Sequence, residues 1–470
     1  MFESIENVKK YCNSLTEYSR FKTREVFIGD IALGANNPIK IQSMTTTDTM
    51  DTKATVEQTI RMVDSGCDYV RITAPSKLEA QNLELIKNEL RKRGYNVPLI
   101  ADIHFTPNAA EIAARIVEKV RINPGNYIDR KKFKLMEYTD NEYNSEIEKI
   151  RERFSPLVKI CKEYGTCMRI GTNHGSLSDR IMSRYGDTPL GMIESALEFV
   201  RICEELDYYN IVLSMKASNP QIMIQAYRLL IQKMEAESMN YPLHIGVTEA
   251  GGGEDGRIKS SVGIGTLLED GIGDTVRVSL TEDPEFEAPV AIQLVKRYDE
   301  RANHKPIAPI EDIPYDPFNY TRRQTFNILN TGELNVPRVI TDFRASGVKD
   351  YIDLSAVGYY YDSATDKWNM GDGAPDFIYL GRNEPTFDLP NGLRIIYDYK
   401  FWTERNDNHE SFPLFSACEY SESGKKSEIL NFVFGTIHSF DDSILNLIKA
   451  DKTVVIILET ENLHGMPEQR

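Results

Sequence analysis

Between residues 39 and 300 the chain alternates a short β-branched segment with an amphipathic helical pattern, and does so eight times. The strand segments are IKIQSM (39–44), YVRIT (69–73), PLIADIH (98–104), KVRINPG (119–125), TCMRIGTN (166–173), IVLSMKAS (211–218), LHIGVTE (243–249) and TVRVSL (275–280). Helical patterns such as KATVEQTIRMVDSG, TPNAAEIAARIVE and GMIESALEFVRICEEL place apolar residues at three-and-four spacing and stop near Gly or a polar residue. Such alternation implies parallel strands joined by right-handed crossovers. Eight units over about 260 residues match a closed (β/α)8 TIM barrel, typically ~250 residues, in an α/β chain. The competing arrangement, an open doubly wound sheet, calls for a dinucleotide fingerprint, and no GxGxxG follows the first strand. Ahead of the barrel, REVFIGDIALGANNP reads as a hairpin able to plug its bottom.

Four of these strands repeat one figure, apolar-Arg-apolar-small: VRIT (70–73), VRIN (120–123), MRIG (168–171) and VRVS (276–279). Side chains alternate in and out along a barrel strand. With Val70 and Ile72 turned toward the helices, Arg71 faces the interior, and the same parity sends Arg121, Arg169 and Arg277 inward. Each lies near the carboxyl end of its strand, where barrel enzymes build their sites. Lys216 holds the comparable place on the sixth strand. Five cations thus converge in a chain whose formal charge is −16, an unfavourable cluster unless an anion answers it. Guanidinium forks match phosphate oxygens, so a multiply charged phosphate ester is the expected ligand. The inward carboxylates are Asp102 and Glu249, with His104 two residues beyond Asp102. Internal Arg–Glu layers without a ligand are the alternative, but two carboxylates do not balance five cations.

Other signals are weaker. AGGGEDG (250–256) reads as a mobile loop before a helix starting at Ser260 and Ser261, suited to a phosphate or a closing lid. His244, at the start of the seventh strand, reads as a bonded histidine at the barrel's far end. Asp102 and His104 have no second histidine pair to make a metal site, and no metal ligand is assigned. Lys216, an inward lysine among arginines, also suits a Schiff base in a non-redox lyase.

Composition closes off several classes. Apolar residues at 41% and charged residues at 27% are those of a soluble globular protein. The acidic balance argues against nucleic-acid or membrane-surface binding, and no apolar run reaches the ~18–20 residues of a membrane helix. Six scattered cysteines without a CxxC suit reduced thiols and a cytoplasmic location.

The run IQSMTTTDTMDTKATVEQ, followed by VRIT, ADIHF, RINPGN, RIGTNHGSL, KAS, TEAGG and DTVRVSL, resembles 4-hydroxy-3-methylbut-2-enyl diphosphate synthase, the iron–sulfur enzyme of non-mevalonate isoprenoid biosynthesis. The motifs fall in family order, one per strand, over roughly residues 20 to 300. The resemblance implies a cyclic diphosphate substrate, 2-C-methyl-D-erythritol 2,4-cyclodiphosphate, held by Arg71, Arg121, Arg169, Asn173, Lys216, Arg277 and Ser279. It places Asp102, His104 and Glu249 against the carbon portion, Glu249 being the candidate for proton transfer. It further implies reductive dehydration by electrons from ferredoxin or flavodoxin through a [4Fe–4S] cluster, and a barrel-to-barrel homodimer. The family's cluster ligands are three Cys and one Glu of a carboxyl-terminal domain, beginning with a CPxCxR-like motif; none of the six cysteines here matches it. Since the family barrel resembles that of dihydropteroate synthase, a pterin- or phosphate-binding barrel without chemistry is a further alternative.

The expected organisation is an amino-terminal segment and hairpin (1–38), the barrel (39–300), a linker (301–335) marked by Pro306, Pro309, Pro314 and Pro317, and a partial barrel-like insert (336–470). In the insert, VPRVITDF (336–343), DYIDLSAVGYYY (350–361), DFIYLG (376–381), LRIIYDYKF (393–401) and TVVIILET (453–460) read as strand pieces. It resembles the spacer of plant-type and some bacterial relatives. The ending ETENLHGMPEQR, inside a strand–helix repeat, leads to the expectation of a chain truncated before its cluster domain and inactive as it stands; a cluster-free paralogue is the competing explanation.

Overall fold

The computed structural model describes the chain except for residues 1–10, 15, 104, 129–137, 300, 302–315, 317, 319–320, 406–410 and 460–470. The chain forms two compact units, 1–321 and 322–470. No helix among the described residues is long and apolar enough to cross a membrane.

In the first unit a hairpin, β1 (Val26–Ile28) and β2 (Ile31–Leu33), turns on Gly29. Its φ of +59° is the positive dihedral that a two-residue hairpin turn requires. Eight parallel strands follow: β3 (Lys40–Met44), β4 (Tyr69–Thr73), β5 (Leu99–Asp102), β6 (Lys119–Ile122), β7 (Cys167–Asn173), β8 (Ile211–Lys216), β9 (His244–Ile245) and β10 (Thr275–Val276). They lie in the order β8-β7-β6-β5-β4-β3-β10-β9. The Leu213 amide donates to the Pro242 carbonyl at 2.9 Å, and a parallel bridge joins Leu213 to Leu243, which closes the ring.

The in-and-out alternation is as expected. Val70, Ile72, Val120, Ile122, Met168 and Ile170 are buried in one core with helix residues such as Val56, Leu83 and Leu197. Each such side chain contributes about 1.5–3 kcal/mol on leaving water. Tyr69, Ile100, Cys167 and Val212, of opposite parity, pack instead on Val26, Ile28 and Leu33 of the hairpin. The hairpin is the barrel's floor.

Three local expectations change. The seventh and eighth barrel strands pair regularly over two residues each; beyond them Arg277 N still reaches the Ile245 carbonyl at 3.1 Å, while Leu280 N turns to the Glu287 carboxylate at 2.9 Å and Thr281 N to the Gly251 carbonyl at 3.2 Å. The glycine-rich loop is shorter than its composition suggests, since the helix starts at Gly253 rather than at Ser260. Glu254 and Asp255 complement the dipole of its first turn, and Glu282 accepts from Gly253 N at 3.1 Å while gripping Arg257.

In the second unit, DYIDLSAVGYYY is not one strand piece. Asp350 and Asp353 form a capping box that starts a helix, Tyr351–Ser355, and this local bonding overrides the β propensity of the segment. The strands are β11 (Ile340–Asp342), β12 (Tyr359–Asp362), β13 (Lys367–Met370), β14 (Phe377–Gly381), β15 (Arg394–Asp398), β16 (Ser411–Ser416), β17 (Asn431–Gly435) and β18 (Val454–Leu458). Six form a curled parallel sheet, β11-β14-β15-β16-β17-β18, and β12-β13 a separate hairpin. The carboxyl ends of β14 to β17 line a cavity whose cations have acid partners: Arg382 with Asp398 at 3.4 Å and Lys400 with Glu419 at 3.9 Å.

Candidate active site: an arginine cluster at the barrel mouth

Strand register decides which cations meet. Asp102, Arg121 and Arg169 are Cα partners across β5, β6 and β7, and Asn173 is the partner of Lys216 across β7 and β8. Asp102, fully buried, lies 3.0 Å from Arg71 Nη2, 3.2 Å from Arg121 Nη1 and 4.0 Å from Arg169 Nη2. One carboxylate thus serves three guanidiniums. Arg121 also donates to the Gly171 carbonyl at 3.1 Å. A Cβ on Gly171 would sit 2.6 Å from Ser214 Oγ and 3.3 Å from Arg121 Nε, so the small residue of MRIG makes room for the guanidiniums beside it.

Arg277 stands apart from Asp102. Its Nε is 3.5 Å from Glu287, a buried residue at the start of the helix Glu287–Asp299 that also bonds Ser43. Lys216 is buried, and burial, then Arg169, Arg71, Arg277 and Arg121, hold its pKa far below the usual lysine value. A Cβ on Gly246 would come within 3.0 Å of its Nζ. Burial likewise lowers Arg71, to about 10, against the opposing pull of Asp102. Among the described residues the five basic side chains face two carboxylates, those of Asp102 and Glu287.

The other sequence candidates are placed less tightly. Asn173, the last residue of β7, and Ser279, three residues beyond β10, are half-buried. Glu249 is exposed, with φ +54°, an uncommon conformation for a residue with a side chain; Lys259 Nζ donates to its carbonyl at 3.3 Å. His104 lies outside the described residues. His244 is bonded, as read, and its partner is Arg169 Nη1 at 2.6 Å.

Sequence reasoning passed over Glu287, whose role depends on a helix folding back onto the mouth, and Lys119. The second was within reach, because the parity that turns Arg121 inward turns Lys119 inward too. Lys119 is fully buried over the Tyr69 ring, 5.2 Å from its centroid, and its amine has no hydrogen-bond partner among the described residues. Burial pushes its pKa down to about 7, with Cys167 opposing and Arg169 and Arg71 reinforcing. Between that value and the unfolded value near 10.5, the unfolded chain binds a proton that the folded chain does not. Stability therefore rises with pH through that window, by up to ~1.4 kcal/mol per unit. Lys119→Met is expected to be more stable than the parent at pH 7, with the gap narrowing toward pH 10. Urea unfolding of the barrel at both pH values checks this; a gap independent of pH refutes it.

The cysteines do not form a cluster site. Cys12, Cys67, Cys161, Cys167 and Cys203 are buried and Cys418 is exposed. Burial lifts the thiols of Cys67 and Cys167 to about 12, which disfavours the thiolates that an iron–sulfur cluster needs. Among the described residues no three Cys, His, Asp or Glu side chains come together as metal ligands.

The GcpE TIM-barrel domain family matches residues 23–292. A relative from Parabacteroides distasonis, named 4-hydroxy-3-methylbut-2-en-1-yl diphosphate synthase (flavodoxin), is 51% identical over 454 residues, which cover 96% of this chain and 70% of the relative. A relative of the same name from Leptospira interrogans is 54% identical over 348 residues, 73% of this chain and 52% of its own. A third, from Bacteroides fragilis, is 44% identical over 457 residues, 97% of this chain and 69% of its own. With a family match along the barrel and relatives this similar along almost the whole chain, the protein belongs to the GcpE family of 4-hydroxy-3-methylbut-2-en-1-yl diphosphate synthases.

Proposed function

We propose that this chain binds 2-C-methyl-D-erythritol 2,4-cyclodiphosphate at the barrel mouth and takes part in its reductive ring opening to 4-hydroxy-3-methylbut-2-enyl diphosphate. The observation that carries this reading is the gathering of basic side chains: Arg71, Arg121, Arg169, Lys216 and Arg277 share two carboxylates among the described residues. A diphosphate supplies the missing negative charge, and guanidinium forks suit its oxygens. Asn173 and Ser279 add neutral hydrogen bonds.

The reaction consumes two electrons and two protons and releases one water. Flavodoxin, named for the relatives, or ferredoxin supplies the electrons. The iron–sulfur cluster that the family implies would relay them, but the described residues of this chain do not hold it. Their work is binding, orientation and proton handling. Asp102 orients Arg71 and Arg121. Glu249, exposed after β9, is the proton donor to the departing hydroxyl in this reading.

Calorimetry with the cyclic diphosphate tests the reading. Binding by the parent chain, weakened about ten- to a hundredfold in Arg121→Ala and Arg277→Ala, is the expected result, at ~1.5–3 kcal/mol per lost charged contact. No binding by the parent chain overturns it.

A further inference from the structure

Of the three guanidiniums around Asp102, that of Arg169 is held differently. Its distance to the carboxylate, 4.0 Å, is the longest of the three. Its short contact is Nη1 to Nδ1 of His244, 2.6 Å, with both residues buried. A guanidinium only donates, so Nδ1 accepts, which puts the ring's proton on Nε2 and leaves the imidazole neutral. Tyr227 fixes the histidine's backbone, donating to the His244 carbonyl at 2.5 Å while accepting from Met215 N at 3.0 Å. The charged groups facing the ring are Lys216 from β8, Arg169 from β7, Lys119 from β6 and Arg71 from β4. All are cations. Burial and then these neighbours hold the His244 pKa far below the usual histidine value.

We propose that His244 is a positioning residue: a neutral acceptor that fixes the Arg169 guanidinium beside Asp102 without cancelling its charge. A carboxylate in its place would orient the guanidinium equally well and also neutralise it. The cation would then have less to offer a phosphate. This inference rests on the diphosphate reading and names how one of its five cations is kept available.

Three substitutions in the 470-residue chain separate orientation from neutralisation. His244→Asn keeps a neutral acceptor close to the position of Nδ1, His244→Asp adds a charge to it, and His244→Phe removes it. Affinities for inorganic pyrophosphate and for the cyclic diphosphate are measured by calorimetry, beside thermal melting. The Asn variant is expected to bind within a few-fold of the parent and the Phe variant about tenfold more weakly. The Asp variant is expected to bind weakest of all while melting no lower than the Phe variant. A packing role alone would move melting and leave the order of affinities flat. An Asp variant that binds like the parent, or an Asn variant as weak as Phe, overturns the proposal.

Nitrogen-15 NMR of the parent's histidines between pH 5 and 8 decides the matter even for variants that do not fold. A bare Nδ1 on His244 throughout is expected, and a doubly protonated ring overturns the proposal. Should the parent bind neither anion, the diphosphate reading fails and the ligand half of this inference with it; the spectra alone judge the acceptor half.

Discussion

Lys216→Met is expected to yield a barrel that is harder to unfold and a mouth that no longer grips a diphosphate. The amine is buried with four guanidiniums near enough to depress its pKa, and no acid among the described residues pairs with it. In the unliganded protein it therefore contributes repulsion and desolvation and little attraction. An apolar side chain of similar length removes both penalties, and replacing buried charge by packed apolar atoms is often stabilising by about 1–4 kcal/mol. The same change deletes a cation from the proposed site, which should weaken pyrophosphate or cyclic diphosphate by about one to two decades, ~1.5–3 kcal/mol. Thermal melting with and without pyrophosphate reads both effects at once. The variant should melt higher alone and gain less from the ligand, because stabilisation by a ligand follows its affinity. A variant that melts lower alone, or gains as much as the parent, contradicts the account.

Asp102→Ala should act in the opposite sense on stability. Its carboxylate is the shared counter-ion of Arg71 and Arg121 and the nearest acid to Arg169. Without it three buried guanidiniums face each other with no compensating charge, and breaking a buried pair in this way costs about 3–5 kcal/mol. The loss should be partly restored by pyrophosphate, since an anion in the mouth supplies the charge that the carboxylate no longer does. Denaturant unfolding of the barrel, followed at increasing pyrophosphate, checks the prediction. A loss that chloride at matched ionic strength restores as well would mean general screening rather than a built anion site.

The two substitutions have opposite signs because the cluster is balanced on one side only. Near β4 to β7 the guanidiniums share an acid; toward β8 to β10 Lys216 has none among the described residues and Arg277 relies on Glu287, brought from a helix. The second unit shows the contrast. At the carboxyl ends of its strands Arg382 and Lys400 each lie near an acid, and among the described residues no comparable surplus forms.

Much of this was legible in the chain. VRIT, VRIN, MRIG and VRVS place arginine at one phase of a two-residue period, and the apolar neighbours say which phase faces the helices. Eight such segments separated by helical patterns specify a barrel, and strand direction then puts the arginines near one end. The insert was harder to read. Asp350 and Asp353 made a helix out of the start of a tyrosine-rich segment, because a cap is a local hydrogen-bonding arrangement that outweighs a weak propensity.

Inward direction is a local property: successive side chains on a strand point to opposite faces wherever the strand lies, so the gathering of cations at the mouth follows from residue order. Pairing is not local. It depends on the stagger between neighbouring strands and on helices returning from elsewhere in the chain. That stagger sets Asp102 beside Arg121 and Arg121 beside Arg169. The fold also brings His244 to Arg169, delivers Glu287 to Arg277 and leaves Lys216 without an acid among the described residues. Which charges cancel and which stay open to a ligand was settled in three dimensions, because electrostatic energy depends on distances between strands and no pattern along one strand encodes them.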